Sequence, residues 1–190
     1  MMDFAQMRDR ALDELRQVLL IVDDAEAALL TQEVRRASRI FVAGAGRTGL
    51  SIRAYGMRLM HIGLTAHVVG DVTTPAIQKG DLLLAASGSG KTRGILQIAE
   101  AARVVGARIA AITSDRSSPL ANMSDCCIVL PAATAKASPE SKAGKVVSAQ
   151  PLGSLFEQCL WVFGDIHIAA MKQELGESEE SLSARHANLE

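Results

Sequence analysis

Asp81-Leu82-Leu83-Leu84-Ala85-Ala86-Ser87-Gly88-Ser89-Gly90-Lys91-Thr92 places an apolar run, a glycine–hydroxyl loop and the approach to a helix within twelve residues. Leu82 to Ala86 is a short apolar run of the kind buried on both faces of a parallel sheet. Ile95, Ile98, Ala99, Ala102 and Val105 then recur at helical spacing, and Gly106 supplies a stop. Between strand and helix lie Ser87, Gly88, Ser89, Gly90 and Thr92. Glycines let backbone approach a ligand closely, and N–H groups at a helix start attract anions. Three hydroxyls add donors. A loop of this composition suits a phosphate.

The same alternation extends in both directions. Arg39 to Ala43 reads as a first strand, followed by Gly44-Ala45-Gly46-Arg47-Thr48-Gly49 and a helix to about His61, stopped at Gly63. Ala66 to Val69, Arg108 to Thr113 and Cys126 to Leu130 read as further strands, and Ser118-Pro119 as the cap and first turn of a short helix. This order predicts an α/β fold, a three-layer α-β-α sandwich around a five-stranded parallel sheet, in one domain of 190 residues. Phe4 to about Ser38 precedes it as two helices, the second capped by Asp23 or Asp24. Such an N-terminal helical extension packs either across a neighbouring subunit or over its own sheet. Pro131 to Gln150 has no periodicity, carries Lys136, Lys142 and Lys145, and is a lid candidate. Leu152 to about Glu174 is a long apolar helix ended by Gly176, and a polar tail follows.

Composition excludes several classes. With 20 basic and 21 acidic residues the net charge is −1, so no global field draws nucleic acid or membrane. At 3% aromatic residues the chain lacks the stacking platforms of single-strand binders. No apolar run approaches the ~20 residues of a membrane span, and no signal core follows the N-terminus, so a cytoplasmic location is expected. Cys126, Cys127 and Cys159 have no zinc or disulfide spacing and read as small core residues.

Two loops imitate other chemistries. Gly44-x-Gly46-x-x-Gly49 fits the dinucleotide fingerprint, with Asp71 near the required acidic position. Only sixty residues of the chain follow the fifth strand, however, too few for a usual substrate domain, and the second glycine–hydroxyl loop goes unexplained. Ala85 to Thr92 nearly fits a nucleotide P-loop, but Ala85 replaces its first glycine. One phosphosugar at the carboxyl ends of adjacent strands uses both loops. Ser87, Ser89 and Thr92 would hold its phosphate, faced by Gly46, Arg47 and Thr48. The plainer alternative makes all of them turn and cap residues.

Ser87-Gly88-Ser89-Gly90-Lys91-Thr92 resembles the phosphate loop of the sugar isomerase (SIS) domain family, whose topology is flavodoxin-like. Gln150-Pro151-Leu152-Gly153-Ser154-Leu155-Phe156-Glu157-Gln158 and Arg185-His186-Ala187-Asn188-Leu189-Glu190, taken with the first glycine loop, narrow the resemblance to the 6-phospho-3-hexuloisomerase branch. The resemblance implies interconversion of D-arabino-3-hexulose 6-phosphate and fructose 6-phosphate in the ribulose monophosphate pathway of formaldehyde fixation. It further implies no cofactor, a homotetramer, and 3-hexulose-6-phosphate synthase as the neighbouring enzyme. Thr48 stands where the family more often has Ser, and Lys91 where an acidic or small residue is usual. Lys91 either strengthens the phosphate site or points to solvent.

Moving a carbonyl from C3 to C2 needs one group that takes a proton from one carbon and returns it to the next. Glu157 is the candidate base; the alternative is a capping box with Ser154. His61, His67 and His167 read as structural. His186 is the candidate for polarising the carbonyl or relaying hydroxyl protons, in its own site or a neighbouring subunit's. A phosphosugar sensor without catalysis and an isomerase of another sugar phosphate are the rival functions.

Overall fold

The computed structural model describes residues 2–133 and 143–189. Lys136 and Lys142 of the lid candidate, and Glu190 of the terminal motif, lie outside the described residues. In order, the elements are α1 (Phe4–Leu19), α2 (Asp24–Arg36), β1 (Ile40–Gly44), α3 (Gly46–His61), β2 (Ala66–Val68), β3 (Leu82–Ala86), α4 (Arg93–Val104), β4 (Arg108–Thr113), α5 (Pro119–Asn122), β5 (Cys126–Val129), α6 (Ser154–Leu175) and α7 (Glu179–Ala184).

The five strands are parallel in the order β2-β1-β3-β4-β5, with Ile40 opposite Leu82 and Gly44 opposite Ala86. This is the flavodoxin-like order, in which the chain reverses direction across the sheet between β1 and β3. The apolar runs alternate between two cores. Val42, Leu84 and Ile112 pack with α3 and α6 on one face. Phe41, Leu83, Ile109 and Ala111 pack with Ile95, Ala99 and Ala102 of α4 on the other. Because both faces are covered, every residue of β3 is buried, which is why its sequence shows no polar alternation.

The N-terminal helices cover this chain's own sheet. Val18 of α1 and Leu30 and Val34 of α2 are fully buried in the α3–α6 core. Asp23 caps α2, accepting from the Ala25 N–H at 2.7 Å. Ser118 caps α5, with Pro119 at its first turn. The strand starts are pinned by buried carboxylates: Asp81 takes two bonds from Arg39, and Glu33 takes two from Arg108. All three cysteines are free; burial raises the Cys126 and Cys159 thiols to about 12 and raises Cys127 as well, which leaves them unreactive core groups.

His167 joins three helices. Its Nε2 lies 2.9 Å from Thr31 Oγ1 of α2 and its Nδ1 2.5 Å from the Tyr55 hydroxyl of α3. The Thr31 hydroxyl donates to Ala27 O, so its oxygen accepts from Nε2–H and Tyr55 donates to Nδ1. Burial pushes His167 from 6.5 down to about 4. Its imidazole is therefore neutral in the fold, whereas the unfolded chain binds a proton as pH falls through 6.5. Stability present above that value is lost on acidification towards pH 4. Urea unfolding is expected to show about 2 kcal/mol less stability at pH 5 than at pH 7 from this group, and His167→Gln to lack that increment. An equal loss in the variant would remove His167 from the account of acid sensitivity.

Candidate functional site

The carboxyl ends of β1 and β3 lie side by side, since Gly44 pairs with Ala86. Each chain segment leaving them enters a helix almost at once. Gly46, Arg47 and Thr48 form the first turn of α3, and Ser87 to Thr92 lead into α4. Neither helix start is satisfied by its own cap side chain, because Ala45 has none to offer and Thr92 makes no cap bond. Both helix starts therefore present backbone N–H groups at the strand ends, the arrangement that favours an anion.

The phosphate-loop candidates converge. Ser87 is buried at the tip of β3, and its Oγ lies 2.9 Å from Thr92 Oγ1. Ser89 is half-buried and its hydroxyl oxygen accepts from the Lys91 N–H at 3.2 Å. Lys91 is exposed, the solvent-facing alternative. The loop is held against β4 by Gly88 O, which accepts from the Ser114 N–H at 3.0 Å and the Ser114 hydroxyl at 2.7 Å. Gly90 makes its turn at φ +60°, and a Cβ there would lie 2.1 Å from Ser118 Oγ. Only glycine fits this bend.

The dinucleotide pattern of the first loop has a packing explanation. A Cβ on Gly49 would come within 2.8 Å of Gly44 O, so α3 crosses β1 too closely for any side chain. Asp71, the acidic residue of that pattern, is committed to Arg53 of α3 at 2.6 Å.

Glu157 meets this loop from the other direction. α6 packs along α3, and its first turn lies beside the first turn of α3. Arg47 Nε donates to Glu157 Oε2 at 2.6 Å; the Glu157 side chain is 15% exposed and that of Arg47 65%. The Ser51 hydroxyl donates to Glu157 O at 3.0 Å and fixes the backbone of the same residue. The capping-box alternative is not formed. Gly153 occupies the cap position, and the Ser154 hydroxyl turns back to donate to Pro151 O at 2.7 Å. The Glu157 carboxylate is thus free of helix capping and held by Arg47, in the first turn of the helix that follows β1.

His186 lies elsewhere in its own chain. It follows α7 and stacks on His61, with ring centroids 5.2 Å apart, and its Nδ1 is 3.1 Å from Ala187 O. His61 is the last residue of α3 and Gly46 the first. Fifteen helical rises of ~1.5 Å put about 22 Å between them. The terminal motif is anchored at that far end by Arg185, which donates to His61 O at 2.9 Å and to Glu177. Burial, then Arg58 and His186, lower the pKa of His61.

Ser51 and Glu14, the latter bonded to residues 148–150, were not marked by the sequence. Both sit at ordinary helical positions, and the partners that give them these roles are more than 100 residues away.

Among the described residues no helix is long and apolar enough to cross a membrane. The chain matches the SIS domain family over residues 33–151. It is 47% identical over 178 residues to a 3-hexulose-6-phosphate isomerase of Mycobacterium gastri, covering 94% of this chain and 87% of that one. A 3-hexulose-6-phosphate isomerase of Bacillus subtilis is 37% identical over 180 residues, covering 94% and 95%. Among solved structures, a Methanococcus jannaschii protein inferred to be a 3-hexulose-6-phosphate isomerase superposes with a TM-score of 0.80. It is 32% identical, and the match covers 94% of this chain and 98% of that one.

Proposed function

Because the chain belongs to the SIS domain family and, within it, to the 3-hexulose-6-phosphate isomerases, we propose that it interconverts D-arabino-3-hexulose 6-phosphate and fructose 6-phosphate, with Glu157 as the base. The observation that carries this reading is the contact between Glu157 and Arg47 beside the hydroxyl loop, at the reversal point of the sheet.

The substrate phosphate binds the hydroxyls of Ser87, Ser89 and Thr92 and the N–H groups that open α4. Gly46, Arg47 and Thr48 close over it from β1. Arg47 has two roles here. A carboxylate oxygen held by a guanidinium is not available to a C–H bond; a phosphate dianion that draws Arg47 away releases it. Glu157 then takes the proton from C2 of the 3-ketose, leaving an enediol across C2 and C3, and returns it to C3. A hydroxyl proton must cross in the same sense, leaving O2 and arriving at O3, and His186 serves that relay. Since His186 stands a helix length from its own Glu157, it acts in a neighbouring subunit's site. A homotetramer with shared sites, a place beside 3-hexulose-6-phosphate synthase in formaldehyde fixation by the ribulose monophosphate pathway, and a cytoplasmic location follow from the same reading.

The test is a substrate panel. Isomerisation of 3-hexulose 6-phosphate is expected to exceed that of aldose phosphates and amino-sugar phosphates by at least ~100-fold in kcat/KM, because a misplaced carbonyl leaves buried polar groups unpaired. Equal activity on an aldose phosphate, or binding without turnover, would overturn it.

A further inference from the structure

We infer that Glu14 of α1 is a positioning residue for this site: its carboxylate fixes the segment from which the helix carrying Glu157 begins. The inference rests on the isomerase reading above.

α1 is an exposed helix in most of its length, yet Glu14 is only 4% exposed. Burying a carboxylate is costly unless its oxygens are satisfied. Those of Glu14 are. Oε1 accepts from the Ala149 N–H at 2.9 Å and from Arg10 Nε at 2.9 Å. Oε2 accepts from the Ser148 hydroxyl at 2.6 Å and from Gln150 Nε2 at 3.4 Å. Burial alone would raise its pKa, but the bonds from Ser148, Ala149, Arg10 and Gln150 hold it below the ordinary carboxylate value. Three successive residues, 148 to 150, are thereby tied to one side chain. The Gln150 N–H also donates to Ser148 Oγ at 2.9 Å, which tightens the turn.

The next residues explain what this anchor does. Leu152 has φ +55°, the only positive φ of a non-glycine among the described residues, and the residue is 78% exposed. A left-handed residue without compensating burial is strained and persists only where its flanks are fixed. Downstream, the turn is fixed by Ser154 on Pro151 O and by Ser51 on Glu157 O. Upstream, it is fixed by Glu14. The helix start, and with it Glu157 one turn later, takes its position from these two anchors. α1 lies before the residues matched to the family, 33–151, so this part of the site is supplied from outside the matched segment.

The test compares wild type with Glu14→Ala and Glu14→Gln by steady-state kinetics and by amide hydrogen exchange at Ala149. Glu14→Ala is expected to lower kcat ~10–100-fold, the scale of a base displaced by about 1 Å, with KM changed less than ~3-fold. Ala149 exchange should accelerate at least ~10-fold. Glu14→Gln, which keeps an acceptor for the Ala149 N–H, should recover most of kcat. If Glu14→Ala does not fold, Glu14→Asp, whose carboxylate is withdrawn by one methylene, is expected to show the same two shifts. Unchanged kcat, a change in KM alone, or unchanged Ala149 exchange would overturn the inference. A wild-type chain inert on every sugar phosphate would instead overturn the functional reading, and Ala149 exchange would then decide the role of Glu14 by itself.

Discussion

Replacing Glu157 by Gln is expected to lower kcat by at least ~100-fold, the usual scale for a lost general base, while leaving the fold and sugar-phosphate binding close to wild type. Gln has the size of Glu and keeps an oxygen that can accept from Arg47. It cannot take a proton from carbon. The stability side of the expectation follows from local geometry. Because Gly153, not Ser154, is the cap of α6, the Glu157 side chain carries no capping bond to lose. Its ion pair is with an arginine whose side chain is 65% exposed, and exposed pairs contribute at most about 1 kcal/mol. The packing of α6 rests on Leu155, Phe156, Cys159 and Leu160, which the change does not touch. Turnover kinetics with a parallel melting curve check it; near-normal kcat would remove Glu157 from the role of base.

Activity regained on mixing two dead chains is the second large effect. His186→Ala and Glu157→Gln should each be nearly inactive alone. If one subunit supplies Glu157 and its neighbour His186, a mixed pair contains one site with both wild-type groups and one with neither. Random pairing in equal amounts should then restore about a quarter of wild-type activity. The motivation is the helix length between His186, stacked on His61, and the start of α3 beside Glu157. No recovery in verified mixed oligomers would place His186 outside the site.

The strands were readable because a parallel sheet covered on both faces leaves continuous apolar runs, as in Leu82 to Ala86. The hydroxyl loop was readable because glycine and serine have a local reason to be there, and Gly90 against Ser118 supplies it. The extension was ambiguous because an apolar stripe on α1 and α2 does not say which sheet it covers; Val18, Leu30 and Val34 cover their own. Ser154-x-x-Glu157 has the spacing of a capping box, but Gly153 takes the cap position and Ser154 turns to Pro151. Glu14 was invisible for a different reason. In sequence it is one charge among several on an amphipathic helix, and the residues it anchors lie 134 to 136 positions away.

Deuterium wash-in follows the proton that Glu157 moves between C2 and C3. Fructose 6-phosphate is incubated in D2O with wild type and with Glu157→Gln, and the position of exchange is read by NMR. Wild type is expected to replace the hydrogen at C3, and Glu157→Gln to do so at least ~100-fold more slowly. Exchange at C1, the signature of an aldose–ketose isomerase, or equal exchange at C3 by both proteins, would contradict it.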